Sequence, residues 1–394
     1  MGFFSTSNNK ERIVAIFDIG SGSVGGAIAR IPLNDKKKIP SIIASSRTEI
    51  KFRNELDFGV FLDDMLVALM TTAKALYGSK VGAPDEIVCV MASPWYISET
   101  RLIKMAREHS FIFTKKLADE LLQKEITLLN DTYEKKYSAV ESIPDIIEHH
   151  IMSVSLNGYL IPEPLGKRSR SVEMNMVISL SPKLCLDKIR KVLSGVFHHT
   201  PVSFSSFMMS SYIAVRDRYI TPESYLLLDI SGEVTDVAII SKGVLKASLS
   251  FPFGKKTFFK YMCTKLEIEE RDAQELFNLF TTGTISEKVK SKVGPLFESI
   301  KGSWGEAFRE CISTLPHTLV LPSTIFLTAD ADIRVWFANV LRNEELIQSM
   351  VDGRKCTVVT LEGPEFLDMC SVSAGTCDPF LMIEAIGIMR KMEQ

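Results

Sequence analysis

The feature that most constrains the fold is a pair of similar segments that lie far apart in the chain. In each, an apolar strand ends at an aspartate that is followed by a turn of small residues. The segments are Arg12–Ser23 and Tyr225–Ile240, and an ungapped alignment places Asp18 over Asp229. A strand that ends at such a turn exposes backbone N–H groups that can cradle phosphate oxygens. The repeat predicts two similar lobes whose turns clamp a phosphate-bearing ligand.

The two aspartates predict a cation between the lobes. Like charges that face each other across a cleft repel unless a cation separates them. Hydrated Mg²⁺ suits that position because it keeps most of its waters and binds carboxylates through them. A second interpretation stays open, in which Asp18 and Asp229 only form turns at strand ends.

Length and composition set the class of protein. The 394 residues exceed one ordinary core, which favours two or more domains. A net charge of -2 provides no field for nucleic acid, so no nucleic-acid partner is expected. The seven cysteines form no C-x-x-C pair, which is typical of a reducing, cytoplasmic setting. Two uncharged stretches, 197–215 and 312–329, hold too many polar residues to span a membrane.

Three stretches resemble the actin-like superfamily and, within it, the bacterial cell-division protein FtsA family. Asp18-Ile-Gly-Ser-Gly22 is similar to the family's first turn, D-I-G-[ST]-[ST], and 229–236 is similar to its second, D-I-G-G-G-T-T-D. The third is Val154–Val177, which is similar to the family's N-G-Y…P-x-G…L-E-V stretch.

This resemblance implies an α/β, actin-like two-lobed fold made of duplicated ribonuclease-H-like domains, with an inserted strand-helix-strand-strand subdomain. The implied boundaries are 12–84 and 183–222 for the first lobe, 85–182 for the insertion, 223–254 and 323–394 for the second lobe, and 255–322 for a small helical subdomain of the second lobe. The expected elements of the insertion are a strand at Glu86–Ser93, a helix at Thr114–Glu125 and strands at Ile151–Ile161 and Ser171–Leu180.

The resemblance also implies a site for ATP and Mg²⁺ between the lobes. The implied nucleotide-binding residues are Asp18, Gly20, Ser21, Gly22, Ser23, Asp229, Ser231, Gly232, Thr235, Asp236 and Thr328. The implied metal ligands are Asp18 and Asp229.

Two departures from the family pattern weaken this expected site. The family's third motif is a strand followed by Gly-Gly, but here the strand Ile325–Thr328 is followed by Ala-Asp-Ala-Asp. In the second turn, Ser231 and Glu233 replace two glycines. Side chains restrict close approach of the backbone, and added carboxylates repel a polyphosphate. We therefore expect weak ATP binding and at most a slow ATPase, because no general base stands at a definable spacing.

The function implied by the resemblance is that of a cytoplasmic cell-division scaffold. Such a protein forms homo-oligomers or filaments and recruits the tubulin-like division protein to the inner face of the cell membrane at midcell. Its membrane contact is expected to be indirect, through a partner. Two alternatives stay open: a PilM-like adaptor of type IV pilus assembly, favoured because the chain ends soon after 380–392, and a small-molecule kinase of the same superfamily.

Overall fold

The computed structural model describes residues 11–33, 37–136, 144–316, 319–343, 355–373 and 375–393. The strands are β1 (Glu11–Ile19), β2 (Ser23–Pro32), β3 (Ser41–Glu49), β4 (Glu86–Met91), β5 (Ile97–Ile112), β6 (Pro144–Leu156), β7 (Tyr159–Leu160), β8 (Arg168–Pro182), β9 (Val202–Ser206), β10 (Tyr225–Ile230), β11 (Thr235–Ser241), β12 (Val244–Phe251), β13 (Thr324–Ala329), β14 (Thr357–Thr360) and β15 (Ser371–Val372). The helices are α1 (Phe58–Gly78), α2 (Lys115–Lys136), α3 (Lys183–Phe197), α4 (Phe207–Arg218), α5 (Lys255–Leu266), α6 (Glu270–Thr281), α7 (Glu287–Ser313), α8 (Ala331–Asn343) and α9 (Pro379–Met392), with a 3₁₀ turn at Gly363–Phe366.

Two sheets repeat the same strand order. In the first lobe five strands run β3-β2-β1-β4-β9, and in the second lobe they run β12-β11-β10-β13-β14. β1 pairs antiparallel with β2 and parallel with β4, and β10 pairs in the same way with β11 and β13. The duplicated unit predicted from the sequence is therefore present as a duplicated sheet.

The central strand of each lobe is buried along most of its length. In β1 every residue from Val14 to Ile19 is buried, and in β10 every residue is buried. Such continuous runs are expected of strands that are covered on both faces. Their carboxyl ends, where Asp18 and Asp229 lie, are therefore held firmly in place.

The inserted subdomain begins later in the chain than expected from the sequence. β4, which includes the expected strand at Glu86, belongs to the first-lobe sheet, where it lies between β1 and β9. The four-stranded sheet of the insertion runs β5-β8-β6-β7. Its first strand, β5, was not predicted, because most of its side chains are partly or fully exposed and its apolar residues do not alternate regularly. The expected helix is α2, which continues to Lys136, and Thr114 Oγ1 accepts a hydrogen bond from Leu117 N near its start.

The C-terminal segment also differs from the expected boundaries, which place 323–394 in the second lobe. β15 pairs with β3 at the edge of the first-lobe sheet, and α9 packs against α4, β2 and β1. Leu381–Met389 are all buried, which is what a core helix requires and a membrane-surface helix does not. Within the described residues, no helix combines the length and apolar content that a membrane crossing requires.

Among the residues that the structure describes, three apolar cores hold these layers together. The largest lies in the first lobe and extends to Leu227 and Phe326 of the second-lobe sheet. The second packs α5, α6, α7 and α8 onto the other face of that sheet, with Phe258 and Trp304 fully buried. The third lies between α2 and the sheet of the insertion.

Candidate functional site

The two turns after β1 and β10 meet at the junction of the lobes. One small cavity is lined from the first lobe by Asp18, Gly20, Gly22 and Ser23, and from the second by Asp229, Ser231 and Gly232. Both aspartates are almost fully buried. Seven of the eleven residues that the resemblance implies thus line one cavity, and Ser21 and Thr328 adjoin it through hydrogen bonds to Ser231 and Asp229.

The cavity itself is small because the turns touch. Its volume is about 30 Å³, whereas ligand pockets usually measure about 300–1,000 Å³. Ser21 Oγ lies 2.8 Å from Ser231 Oγ and accepts a hydrogen bond of 2.9 Å from the backbone N–H of Glu233. A phosphate group would have to separate these atoms to enter between the turns.

Asp18 has a cationic partner within the protein. Arg47 of β3 places Nη2 2.8 Å from an Asp18 carboxylate oxygen, donates from Nε to Asp378 at 2.8 Å and donates from Nη1 to Ser23 Oγ at 2.9 Å. Burial raises the pKa of Asp18, and the Arg47 charge opposes this shift. Burial and the nearby Asp18 charge also raise the pKa of Glu384 on α9 well above its usual range, which favours a neutral carboxyl there.

Asp229 is held by Thr328 of the neighbouring strand. Thr328 Oγ1 donates a hydrogen bond of 2.7 Å to Asp229 Oδ1. Burial raises the pKa of Asp229 well above its usual range although the Thr328 bond opposes the shift. The charge of a bound cation would oppose this shift by stabilising the ionised carboxylate.

Thr235 and Asp236 lie outside the cavity between the turns. Thr235 Oγ1 donates to the backbone oxygen of Phe253 and accepts from Trp304 Nε1 at 3.3 Å, so its hydroxyl is used inside the second lobe. Asp236 turns to the first lobe, where Ser93 N donates to its carboxylate at 3.4 Å. Burial raises the pKa of Asp236 to about 6.

The acids that replace the family's glycines form ion pairs with lysines of α5. Glu233 contacts Lys260 Nζ at 2.8 and 2.9 Å. Asp330 and Asp332 each lie 2.9 Å from Lys255 Nζ. Sequence reasoning missed these lysines and Arg47, because pairs between distant segments leave no local pattern.

A larger cavity of about 410 Å³ lies beside the turns, between the first lobe and the helices of the second. Its polar lining includes Glu49, Lys255, Lys256, Glu270 and Arg271. All three of these cations have partners within the chain. Lys255 pairs with the two aspartates, Lys256 Nζ donates to the backbone oxygen of Ile50 at 2.7 Å, and Arg271 Nε lies 3.8 Å from Asp272.

The residues at the turns do not fit an ATP–Mg²⁺ complex in this arrangement. Arg47 already compensates Asp18, Thr328 already donates a hydrogen bond to Asp229, and the space between the turns is filled by Ser21 and Gly232. Among the residues that the structure describes, no group of three or more His, Cys, Asp or Glu side chains is arranged to hold a metal ion.

Comparisons with known proteins bear on the fold. No family model matches the sequence, and no curated protein matches it. A solved chain described as "PilM-PilN type IV pilus biogenesis complex" superposes with a TM-score of 0.59 at 11% identity, over 97% of this chain and 98% of that one. An ethanolamine utilization protein EutJ from Carboxydothermus hydrogenoformans reaches a TM-score of 0.43 at 11% identity, over 96% of this chain and 89% of that one, which is too low to carry an argument.

The first of these matches shows fold alone, because its identity is so low. Together with the five strands that follow the same order in each lobe, it identifies the architecture. The chain has the α/β, two-lobed, actin-like fold.

Proposed function

We propose that this chain is an actin-like scaffold that serves as a PilM-like adaptor of type IV pilus assembly and acts by holding a partner protein. The observation that carries the proposal is the likeness to the PilM–PilN structure, which extends over nearly the full length of both chains. That structure is described as a complex between two proteins, so the matching architecture is one that binds a protein partner. In this role the chain would work at the inner face of the cell membrane and reach it through its partner.

A groove at the inserted subdomain supports protein binding. Its cavity measures about 640 Å³ and is lined mainly by apolar residues of α2, β6, β7 and the loop before β8, with Val244 of the second lobe at its edge. Ile151, Leu160 and Leu165 line it and are 44%, 60% and 57% exposed. Exposed apolar side chains that gather around one groove are typical of a protein-binding surface.

The proposal is tested by binding measurements with purified proteins. The partner is the cytoplasmic segment of a pilus inner-membrane assembly protein from the same organism, titrated calorimetrically into wild type and into Leu160→Asp. Placing a charge in an apolar contact should weaken binding by at least about tenfold, equivalent to about 1.4 kcal/mol. Val67→Asp is the matched control, since Val67 is 67% exposed on α1 and does not line the groove. Equal affinities for wild type and Leu160→Asp would contradict the groove as the contact.

A division scaffold that recruits the tubulin-like division protein, and forms homo-oligomers or filaments, is the second candidate. The similarity of Val154–Val177 to the FtsA family favours it. In the structure, Asn157 and Gly158 have φ of 51° and 82°, and they connect β6 to β7 as the tight turn for which Asn-Gly is the preferred pair. Because hairpin geometry accounts for this pair, it carries less weight than the full-length likeness. Binding of the tubulin-like protein, without binding of the pilus protein, would reverse our order of preference.

A further inference from the structure

We propose that the two lobes are held closed by contacts between the protein's own turns and by a buried lysine that reaches from one lobe to the other, so that closure does not depend on a nucleotide. The contact between Ser21-Gly22 and Ser231–Glu233 is called the interlobe clamp. The inference rests on residues at the lobe junction and is independent of the proposed function, whose surface lies on the inserted subdomain.

The backbones of the two turns approach each other closely at the lobe junction. A Cβ atom on Gly232 would lie 2.3 Å from Gly22 N and 2.6 Å from the carbonyl carbon of Ser21. On the other side of the same turn, a Cβ on Gly254 would lie 2.4 Å from Ser231 O. Contacts this short mean that the second turn is enclosed between the first turn and the start of α5, where only glycine fits.

The backbone N–H groups that could otherwise bind a ligand are hydrogen-bonded within the chain. The N-terminus of a helix presents free N–H groups that suit an anion. At the start of α5, however, Lys255 N donates to Ser231 O at 2.8 Å and Lys256 N donates to Gly232 O at 2.6 Å. Within the first turn, Gly20 N donates to Ser23 O at 3.2 Å. These donors are satisfied by the chain itself.

A lysine side chain of the second lobe makes a hydrogen bond to the first lobe. Lys256 is only 5% exposed, and its Nζ donates to Ile50 O of the first lobe at 2.7 Å. Ile50 N in turn donates to Gly22 O at 2.9 Å. Ile50 therefore contacts both Lys256 and the interlobe clamp. A buried lysine costs free energy unless it is hydrogen-bonded. This bond is therefore expected to favour the closed arrangement.

The acidic side chains around the turns are paired with cations of the chain itself. Asp18 is compensated by Arg47, Glu233 by Lys260, and Asp330 together with Asp332 by Lys255. Glu233, which replaces a glycine of the family pattern, and the two aspartates that follow β13 are thus built into ion pairs of the protein. A ligand shifts a conformational equilibrium only by its difference in affinity for the two states. A triphosphate would have to break these contacts in order to bind, so it has little to gain from the closed state.

The first experiment measures thermal unfolding of the wild-type chain with and without ATP plus Mg²⁺, and with ADP plus Mg²⁺. We expect the melting temperature to change by less than about 1 °C at millimolar nucleotide. A saturable rise of several degrees would overturn the inference, because it would show that the native state binds the nucleotide.

The second experiment opens the clamp. Gly232→Ala inserts a methyl group against Gly22, while Gly302→Ala is the matched control because it lies in α7 with no atom within 4 Å of an added Cβ. We expect Gly232→Ala to increase the radius of gyration in small-angle X-ray scattering and to speed proteolysis between the lobes. If that variant fails to fold, the pair Ser21→Ala with Ser231→Ala removes the hydroxyl contacts without adding bulk, and faster proteolysis is again expected. Scattering and proteolysis equal to those of the control would overturn the inference.

Discussion

At the scale of single residues, Arg47 is the cation that pairs with Asp18 beside the lobe junction. Its guanidinium reaches Asp18 at the end of β1, Ser23 at the start of β2 and Asp378 at the start of α9. It also stacks over the Phe380 ring at 5.2 Å. A planar guanidinium can serve several acceptors at once, which an ammonium group cannot do in the same geometry.

Replacing Arg47 by methionine should destabilise the protein strongly. The change leaves the buried carboxylate of Asp18 and the half-buried carboxylate of Asp378 without their cation, and breaking a buried pair typically costs about 3–5 kcal/mol. Urea unfolding measures the loss. Lys116→Ala is the control, since its 3.9 Å pair with Glu120 is solvent-exposed, and we expect it to cost less than about 1 kcal/mol. Adding Asp18→Asn to Arg47→Met should recover part of the stability; no recovery would contradict the role given to the Asp18 charge.

At the scale of elements, the C-terminal helix α9 completes the first lobe. Asp378 caps its start by accepting from Phe380 N at 3.0 Å and Leu381 N at 3.3 Å. Further along the helix, Gly387 faces Ser210 of α4, where an added Cβ would lie 2.9 Å from Ser210 Oγ and 3.0 Å from its Cα. The two helices are therefore packed at a distance that only glycine permits.

Gly387→Ala should destabilise the protein because α9 must move away from α4. Overpacking typically costs about 1–3 kcal/mol, and the better helix propensity of alanine offsets up to about 1 kcal/mol. We expect a net loss of about 1–2 kcal/mol in denaturant unfolding. Gly195→Ala in α3 meets no atom within 4 Å, so the same substitution there should be neutral or stabilising. Equal effects at both positions would contradict the close packing of α9 against α4 at Gly387.

At the scale of the whole molecule, Glu148 joins three parts of the chain. This buried carboxylate lies on β6 of the insertion and accepts from Ser206 N and Ser205 Oγ of the first lobe, both at 2.8 Å. On the other side, His150 Nε2 lies 3.1 Å away and Lys391 of α9 lies 3.7 Å away. Burial alone would raise the pKa of Glu148, but the hydrogen bonds and charges of these partners lower it to about 2.

This shift predicts an acid-dependent stability. Because the pKa of Glu148 is lower in the folded state, its contribution is complete above the unfolded value of 4.5 and is lost as the pH falls toward about 2. At pH 7 we expect Glu148→Gln to cost on the order of 3 kcal/mol, and the cost should shrink steadily below pH 4.5. Chemical unfolding at pH 7 and at pH 3 measures the difference.

Glu173→Gln is the control for this prediction. Its side chain is 42% exposed and pairs with Lys104 at 3.0 Å on the surface. Exposed pairs contribute little, so the control should change stability by less than about 1 kcal/mol at either pH. A cost of Glu148→Gln that is equal at both pH values would contradict an ionised carboxylate at this joint.

Part of the fold and site follows from local pattern. The strand, aspartate and small-residue turn recur in both lobes, and the structure shows that they end the two central strands and meet at one cavity. The helix that begins near Thr114 and the turn at Asn157-Gly158 can likewise be predicted from the sequence, because helix caps and tight turns depend on neighbouring residues. What these segments pack against is not encoded in the same way.

The sequence by itself determined that two strand-and-turn units of matching pattern exist, because period, turn chemistry and spacing are local properties of the chain. Only the tertiary structure decided that β4 joins the first-lobe sheet, that α9 closes that lobe, and that Arg47, Lys255 and Lys260 neutralise the acids around the turns. Those outcomes depend on contacts between segments far apart in the chain, and on the burial that makes an unpaired charge costly. Neither leaves a trace in the order of neighbouring residues.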